Sequence, residues 1–220
     1  METTHRLLDR ELNVLRDRVL LLGGGAEAAV ARAMQSLIER DSSAAQSVLD
    51  GDDAIDRLEV EIDRLCIDML ALRQPAARDL RFVISAAKIT PLLERIADHA
   101  CNIARTALEL NDEPQLKPYI DLPRMASQTG AMLHAALDAF TAGDGRAARQ
   151  VIESDDEIDE FYSRVFQDLL DLMVNDPSVS ARAARLMFVA KHIERIADYA
   201  TDICELTVYM TEAAFIKHNN

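Results

Sequence analysis

Apolar residues recur along this chain at steps of three and four. Ile55, Leu58, Ile62, Leu65 and Met69 form one such stripe, and Leu92, Ile96, Ala100, Ile103 and Ala107 form another. That spacing is the period of an α-helix with one buried face. Turn-forming residues punctuate the pattern at Asp41-Ser42-Ser43, Gly51, Pro75, the segment 111–123, Gly143-Asp144-Gly145 and Asn175-Asp176-Pro177. Helices are therefore predicted at about 6–40, 42–73, 76–111, 122–142, 145–174 and 177–216. Gly23, Gly24 and Gly25 fall inside the first of them, each costing roughly 1 kcal/mol relative to Ala, and predict a break or bend there.

The pattern repeats. Asp41–Arg57 aligns with Asp144–Glu160, with identities at Asp41/Asp144, Ala44/Ala147, Ala45/Ala148, Val48/Val151, Asp52/Asp155, Asp53/Asp156, Ile55/Ile158 and Asp56/Asp159. Further on, LERIADHACNIA from Leu93 aligns with IERIADYATDIC from Ile193. The first block is offset by 103 residues and the second by 100, so three residues are lost in between, near Pro75 and Pro177. A fixed internal period means a duplicated structural unit. The expected fold is all-α: two tandem three-helix bundles, six helices in all, related by a pseudo-twofold axis. Residues 1–112 make the first bundle, 122–220 the second, and 113–121, rich in proline and mixed charge, the linker.

Composition agrees. Of 220 residues, 49% are apolar and only 5% aromatic, and strand-favouring types are sparse. Lys and Arg number 24 against 38 Asp and Glu, giving a formal charge of −14. Such a field repels nucleic acid and anionic lipid and attracts cations and basic protein surfaces. The charged start is not that of a signal peptide, and no apolar run approaches the roughly 18–20 residues that span a bilayer, so a cytoplasmic protein without a transmembrane segment is expected. Cys66, Cys101 and Cys204, an odd number without close spacing, read as reduced, packed thiols. Neither a phosphate-cradling glycine loop nor a nucleophile elbow is present.

The candidate chemistry lies in acidic rows. Positions 4, 7 and 11 apart share a helix face. Asp52, Asp56, Glu59 and Asp63 thus align on the second helix, and Glu94 and Asp98 begin a row on the third that Asn102 and Arg105 interrupt. In the second half the lengths are exchanged: Asp155 and Asp159 are followed by Tyr162 and Phe166, whereas Glu194, Asp198, Asp202 and Glu205 form the long row. Like charges at i,i+4 oppose helix formation by a few tenths of a kcal/mol per pair, so a compensating cation is expected. Mg²⁺, Mn²⁺, Fe and Zn²⁺ all accept carboxylates, and spacing does not separate them. A solvated polar face gives the same spacing; repetition of Glu-Arg-Ile-Ala-Asp in both halves favours a site. Arg95 and Arg195 are expected to pair with neighbouring acids, and His99, His134 and His192 read as single histidines, His192 packed.

With these motifs in view, the run Gln74-Pro75-Ala76-Ala77-Arg78-Asp79-Leu80-Arg81 followed by Glu94-Arg95-Ile96-Ala97-Asp98, and its echo around Glu194–Asp198, resembles the PhoU family along essentially the whole chain. The resemblance implies paired three-helix bundles and, in some members, metal clusters on the Glu-x-x-x-Asp motifs. By position those acids are Glu94, Asp98, Glu194 and Asp198, with Asp52, Asp56, Asp155 and Asp159 from the adjacent helices; Asp202 extends the second row. It also implies a non-catalytic negative regulator of phosphate uptake and phosphate-starvation signalling. Its partners would be the ATPase subunit of a phosphate ABC transporter and a sensor histidine kinase, with a homodimer expected. Departures are Pro91-Leu92 where relatives carry Asn-Asp, and Ala97 and Ala197 in place of glycine. Pro91 predicts a kink just before Glu94, hence tighter cation binding in the second half. The alternative reading, a carboxylate-bridged ferritin-like oxidase, needs Glu-x-x-His pairs, of which the chain has only Glu2/His5. An ion-free scaffold is the third.

Overall fold

A computed structural model describes residues 2–116 and 121–217, with side chains from residue 7 onward. The linker stretch 117–120 and the Glu2 and His5 side chains lie outside the described residues. The described backbone is helical and contains no strand: α1 Glu2–Ile38, α2 Ser42–Arg73, α3 Ala77–Asn111, α4 Asp121–Ala142, α5 Gly145–Ile152, α6 Asp155–Asn175, a 3-10 turn Pro177–Val179, and α7 Ser180–Glu212. The repeat shows first at the caps. Asp41 accepts from the amides of Ser43 and Ala44 to start α2, and Asp144 does the same for Arg146 and Ala147 at α5. These bonds satisfy amide donors that a helix start otherwise leaves unpaired.

The six-helix plan holds with two local corrections. The predicted helix 145–174 is interrupted at Glu153-Ser154, giving α5 and α6 where the first half has the single α2. Ser154 turns its hydroxyl back to the Val151 carbonyl at 2.6 Å, and Asp155, Asp156 and Glu157 then fill the first turn of α6, where negative charge favours a helix start. Gly23–Gly25 do not break α1. A Cβ on Gly23 would lie 2.6 Å from Cδ2 of Leu137 on α4, so the absent side chain allows close helix packing that outweighs weak helix propensity. As predicted, α3 is one helix from Ala77 to Asn111, with Pro91 inside it.

Helices α1, α2 and α3 pack together, as do α4 to α7, and α3 and α7 join the two groups along their lengths. These two run antiparallel: Arg81 Nε donates to the Met210 carbonyl at 3.0 Å, Ser85 faces Leu206, and His99 meets His192. The two Glu-Arg-Ile-Ala-Asp segments therefore cross at mid-length. Ile96, Ala97, Ala100 and Ile103 on one side, and Ile196, Ala197, Ala200 and Ile203 on the other, are completely or almost completely buried in one continuous core. At the end of α3, Arg40 Nη2 donates to the carbonyls of Leu110, Asn111 and Glu113 at 3.1, 2.7 and 2.6 Å. It thus closes carbonyls that the helix end leaves open and complements the dipole there.

Candidate functional site: two unequal acidic faces

The packing of α2 on α3 brings the acids of the first half together. Asp56 is held above its ordinary range by partial burial and then by Asp52, Asp98 and Asp53; Glu59 is raised by burial, Asp63, Asp56 and Asp98. Glu94 is pushed up to about 7, first by burial and then by Asp98, Glu59 and Asp56. Asp52, Asp56, Glu59, Glu94 and Asp98 thus feel one another across two helices. Asp52 also accepts from the Cys101 thiol, which burial raises to about 12 and keeps protonated. Glu59 and Asp63 belong to this face, although the family motif passes over them.

The second half keeps the acids and neutralises them. Lys191 Nζ donates to both oxygens of Glu194 at 2.6 and 2.7 Å, and Arg195 Nη1 donates to Asp198 at 2.9 Å. The Lys191 ammonium also lies 5.4 Å from the centre of the Tyr162 ring, which occupies the repeat position of Glu59. In the first half Pro91 stands where the second has Lys191, so Glu94 receives no matching ammonium. Arg95, the counterpart of Arg195, instead pairs chiefly with the Tyr199 hydroxyl. Pro91 thus leaves the first face without the cation that Lys191 brings to the second. Asp155 is buried at the start of α6, Asp159 is exposed, and Asp202 is raised by burial, Glu205 and Asp198, with Lys217 opposing. Uncompensated charge therefore concentrates in the first half.

Among the described residues no three of His, Cys, Asp and Glu converge as a metal shell. The first face supplies carboxylate oxygens side by side; ligation there requires side-chain rotation. The histidines resolve differently from their sequence reading. His99 and His192 are a pair, Nδ1 to Nδ1 at 2.8 Å, with Tyr199 stacked on His99. Burial first, then His192, Arg195 and Arg95, lowers His99 to about 4, and burial lowers His192. Both rings are neutral at pH 7, so one donates and the other accepts, fixing opposite tautomers. His134 meets Glu27 at the surface. Cys66, Cys101 and Cys204 are buried and unbridged, as expected of packed thiols.

The crowding at Glu94 has a measurable consequence. In the unfolded chain Glu94 ionises near its ordinary 4.5, but in the fold only near 7. The folded state binds more protons in that window, so this residue makes stability fall as pH rises from 4.5 to 7, with the full penalty above 7. In chelator-treated protein, Glu94→Gln should match the parent at pH 4 and exceed it at pH 8 by about 1 kcal/mol, after discounting for solvent contact. Urea unfolding at both pH values measures it; a difference that does not grow between them refutes the crowding.

Comparison with known proteins places this geometry. The family model described as "PhoU domain" matches residues 19–107 and again 122–207. The chain is 38% identical over 213 residues to a phosphate-specific transport system accessory protein PhoU homolog of Aquifex aeolicus, covering 97% of this chain and 96% of that protein. It is 36% identical over 219 residues to one of Pseudomonas aeruginosa, covering 98% and 90%. The crystal structure of PhoU from Pseudomonas aeruginosa superposes with a TM-score of 0.91 at 37% identity, covering 94% of this chain and 99% of that one. That of the phosphate transport system regulatory protein PhoU from Streptococcus pneumoniae gives 0.89 at 29%, covering 96% and 100%. With the domain matched twice and relatives alike along nearly their full length, the chain belongs to the PhoU family.

Proposed function

We propose that this chain is a regulator of phosphate uptake that works by protein contact, not by catalysis, and that its first acidic face binds a divalent cation. The observation that carries the first part is end-to-end likeness to proteins named as accessory or regulatory components of phosphate transport. The regulation is negative. It couples the ATPase subunit of a phosphate ABC transporter to a sensor histidine kinase, from the cytoplasmic side, and the chain acts as a homodimer. No helix among the described residues is long and apolar enough to cross a membrane, which suits peripheral docking on such partners.

The cation reading rests on donor chemistry. Asp52, Asp56, Glu94 and Asp98 offer only carboxylate oxygens, a set suited to Mg²⁺ or Mn²⁺, and their mutual repulsion is the cost a cation removes. Asp155, Asp159, Glu194, Asp198 and Asp202 make a weaker candidate, because Lys191 and Arg195 already supply positive charge. A ferritin-like oxidase fits poorly: its ligands project into a bundle core, whereas Asp56 and Asp98 are exposed. Purified chain mixed with its organism's phosphate-transporter ATPase subunit should elute with it as a stoichiometric complex in size-exclusion chromatography. Failure to associate with either that subunit or the sensor kinase removes the regulatory reading.

A further inference from the structure

Where the two halves meet at the end remote from the linker, a cavity of about 260 Å³ opens between α1, α3, α4 and α7. Its charged lining is Arg16, Arg78 and Asp79, with Phe82 and Phe140 in its apolar wall. Arg16 lays its guanidinium 5.1 Å from the Phe82 ring centre, and its Nε is buried without a hydrogen-bond partner among the described residues. Among the described residues no ion pair or side-chain hydrogen bond engages Arg78 or Asp79. Arg16 Nη1 donates to Asn13 Oδ1 at 3.2 Å, so the open donors in this small space are the Nε of Arg16 and the guanidinium of Arg78.

The internal repeat provides a control. The pseudo-equivalent corner, where α1 and α3 end beside the start of α7, is also rich in arginine, but there the chain supplies the anions. Arg185 pairs with Glu109 and Glu113 at 2.8 and 2.6 Å, Arg182 lies 3.7 Å from Glu113, and Arg40 is spent on carbonyls. By the same offsets Arg40 corresponds to Gly143, Glu109 to Tyr209 and Glu113 to Ala213. Glu109 and Glu113 of one corner have no acidic counterpart in the other, whose one lining carboxylate is Asp79, while arginines line both.

We infer that this cavity binds a tetrahedral oxyanion that still carries a proton, with inorganic phosphate as the matching ion. Guanidinium forks suit the oxygens of such an anion. Asp79 supplies the selection: a carboxylate only accepts, so it favours a ligand with an O–H, which phosphate has at neutral pH and sulfate lacks. The space is smaller than the roughly 300–1,000 Å³ of pockets for larger ligands, which suits a single ion with a few waters. The charged groups come from α1 and α3 of one half, while Phe140 and Met210 of α4 and α7 wall the cavity from the other, so the ion sits at the seam between the halves. Phe82 lies about 18 Å along α3 from Glu94, so this site is separate from the cation face and stands or falls independently of it.

Titration calorimetry of the full chain at pH 7 and constant ionic strength tests this, with sodium phosphate, sodium sulfate and glycerol 3-phosphate as probes. Phosphate should bind with one ion per chain, and sulfate and the ester at least tenfold more weakly. Arg78→Gln, an exposed position that leaves the fold intact, should weaken phosphate at least tenfold; Asp79→Asn, whose amide can donate, should bring sulfate to parity. Asp98→Asn should leave phosphate binding unchanged. Absence of saturable phosphate binding, equal binding of sulfate by the parent, or an unaffected Arg78→Gln would overturn the proposal; an ester as tight as phosphate would overturn the free ion as ligand.

Discussion

Adding Mg²⁺ or Mn²⁺ to chelator-treated protein at pH 7.5 is expected to raise its melting temperature by about 5–10 °C, and the whole shift should depend on the first half. A ligand that binds only the folded state stabilises by about 2.7 kcal/mol at one hundred times its dissociation constant. For a chain of this size each kcal/mol moves the midpoint by about 2–4 °C. Glu94→Gln combined with Asp98→Asn should abolish the shift while raising the midpoint of the cation-free protein, since it removes charges that repel one another. Glu194→Gln combined with Asp198→Asn should leave the shift in place and lower the cation-free midpoint, since it breaks contacts with Lys191 and Arg195. The shift should also shrink below about pH 6, where a proton on Glu94 competes with the cation. Differential scanning fluorimetry of three proteins at two pH values decides it. A shift lost in the second pair and kept in the first means that ion pairing does not pre-empt that face.

The contrast between the halves explains what could be read from the chain and what could not. Helix positions were legible because apolar spacing and cap residues act locally: Asp41 and Asp144 do at their helix starts what side chains of that type do anywhere. The break at Ser154 was also signalled, by a serine followed by three acids, but a longer apolar pattern running through it hid the signal. Gly23 misled because its reason lies in Leu137, on a helix of the other half. The pairing of His99 with His192 spans 93 positions and carries no local mark. At the acidic faces the motif acids were evident, while their electrostatic state was not. Lys191 sits three residues before Glu194, close enough to notice, yet its weight emerges only against Pro91 at the matching place. Acid counts alone do not separate the halves; the cations around the acids do.

The largest single-residue loss of stability is expected from Phe140→Ala, at about 3–5 kcal/mol. Phe140 is 1% exposed and its ring stacks on Phe82 of α3 with centroids 5.8 Å apart and planes at 14°, so it joins the end of α4 to the first half. Truncation removes the transfer energy of the ring, leaves a void that helices anchored elsewhere cannot fully close, and forfeits the stacking. At about 2–4 °C per kcal/mol the midpoint should fall by roughly 6–20 °C. Phe188→Ala is the control: that ring is 65% exposed, and its loss should stay within about 0.5 kcal/mol. The shape of the transition carries a second test. Because α3 and α7 share one buried core, the parent should unfold in a single step, and Phe140→Ala should shift that step without splitting it. Two resolved transitions in the parent, by calorimetry, would mean that the halves fold as separate units, and a ligand bridging Arg16 and Arg78 to the end of α4 would then act by docking them rather than by tightening a structure already joined.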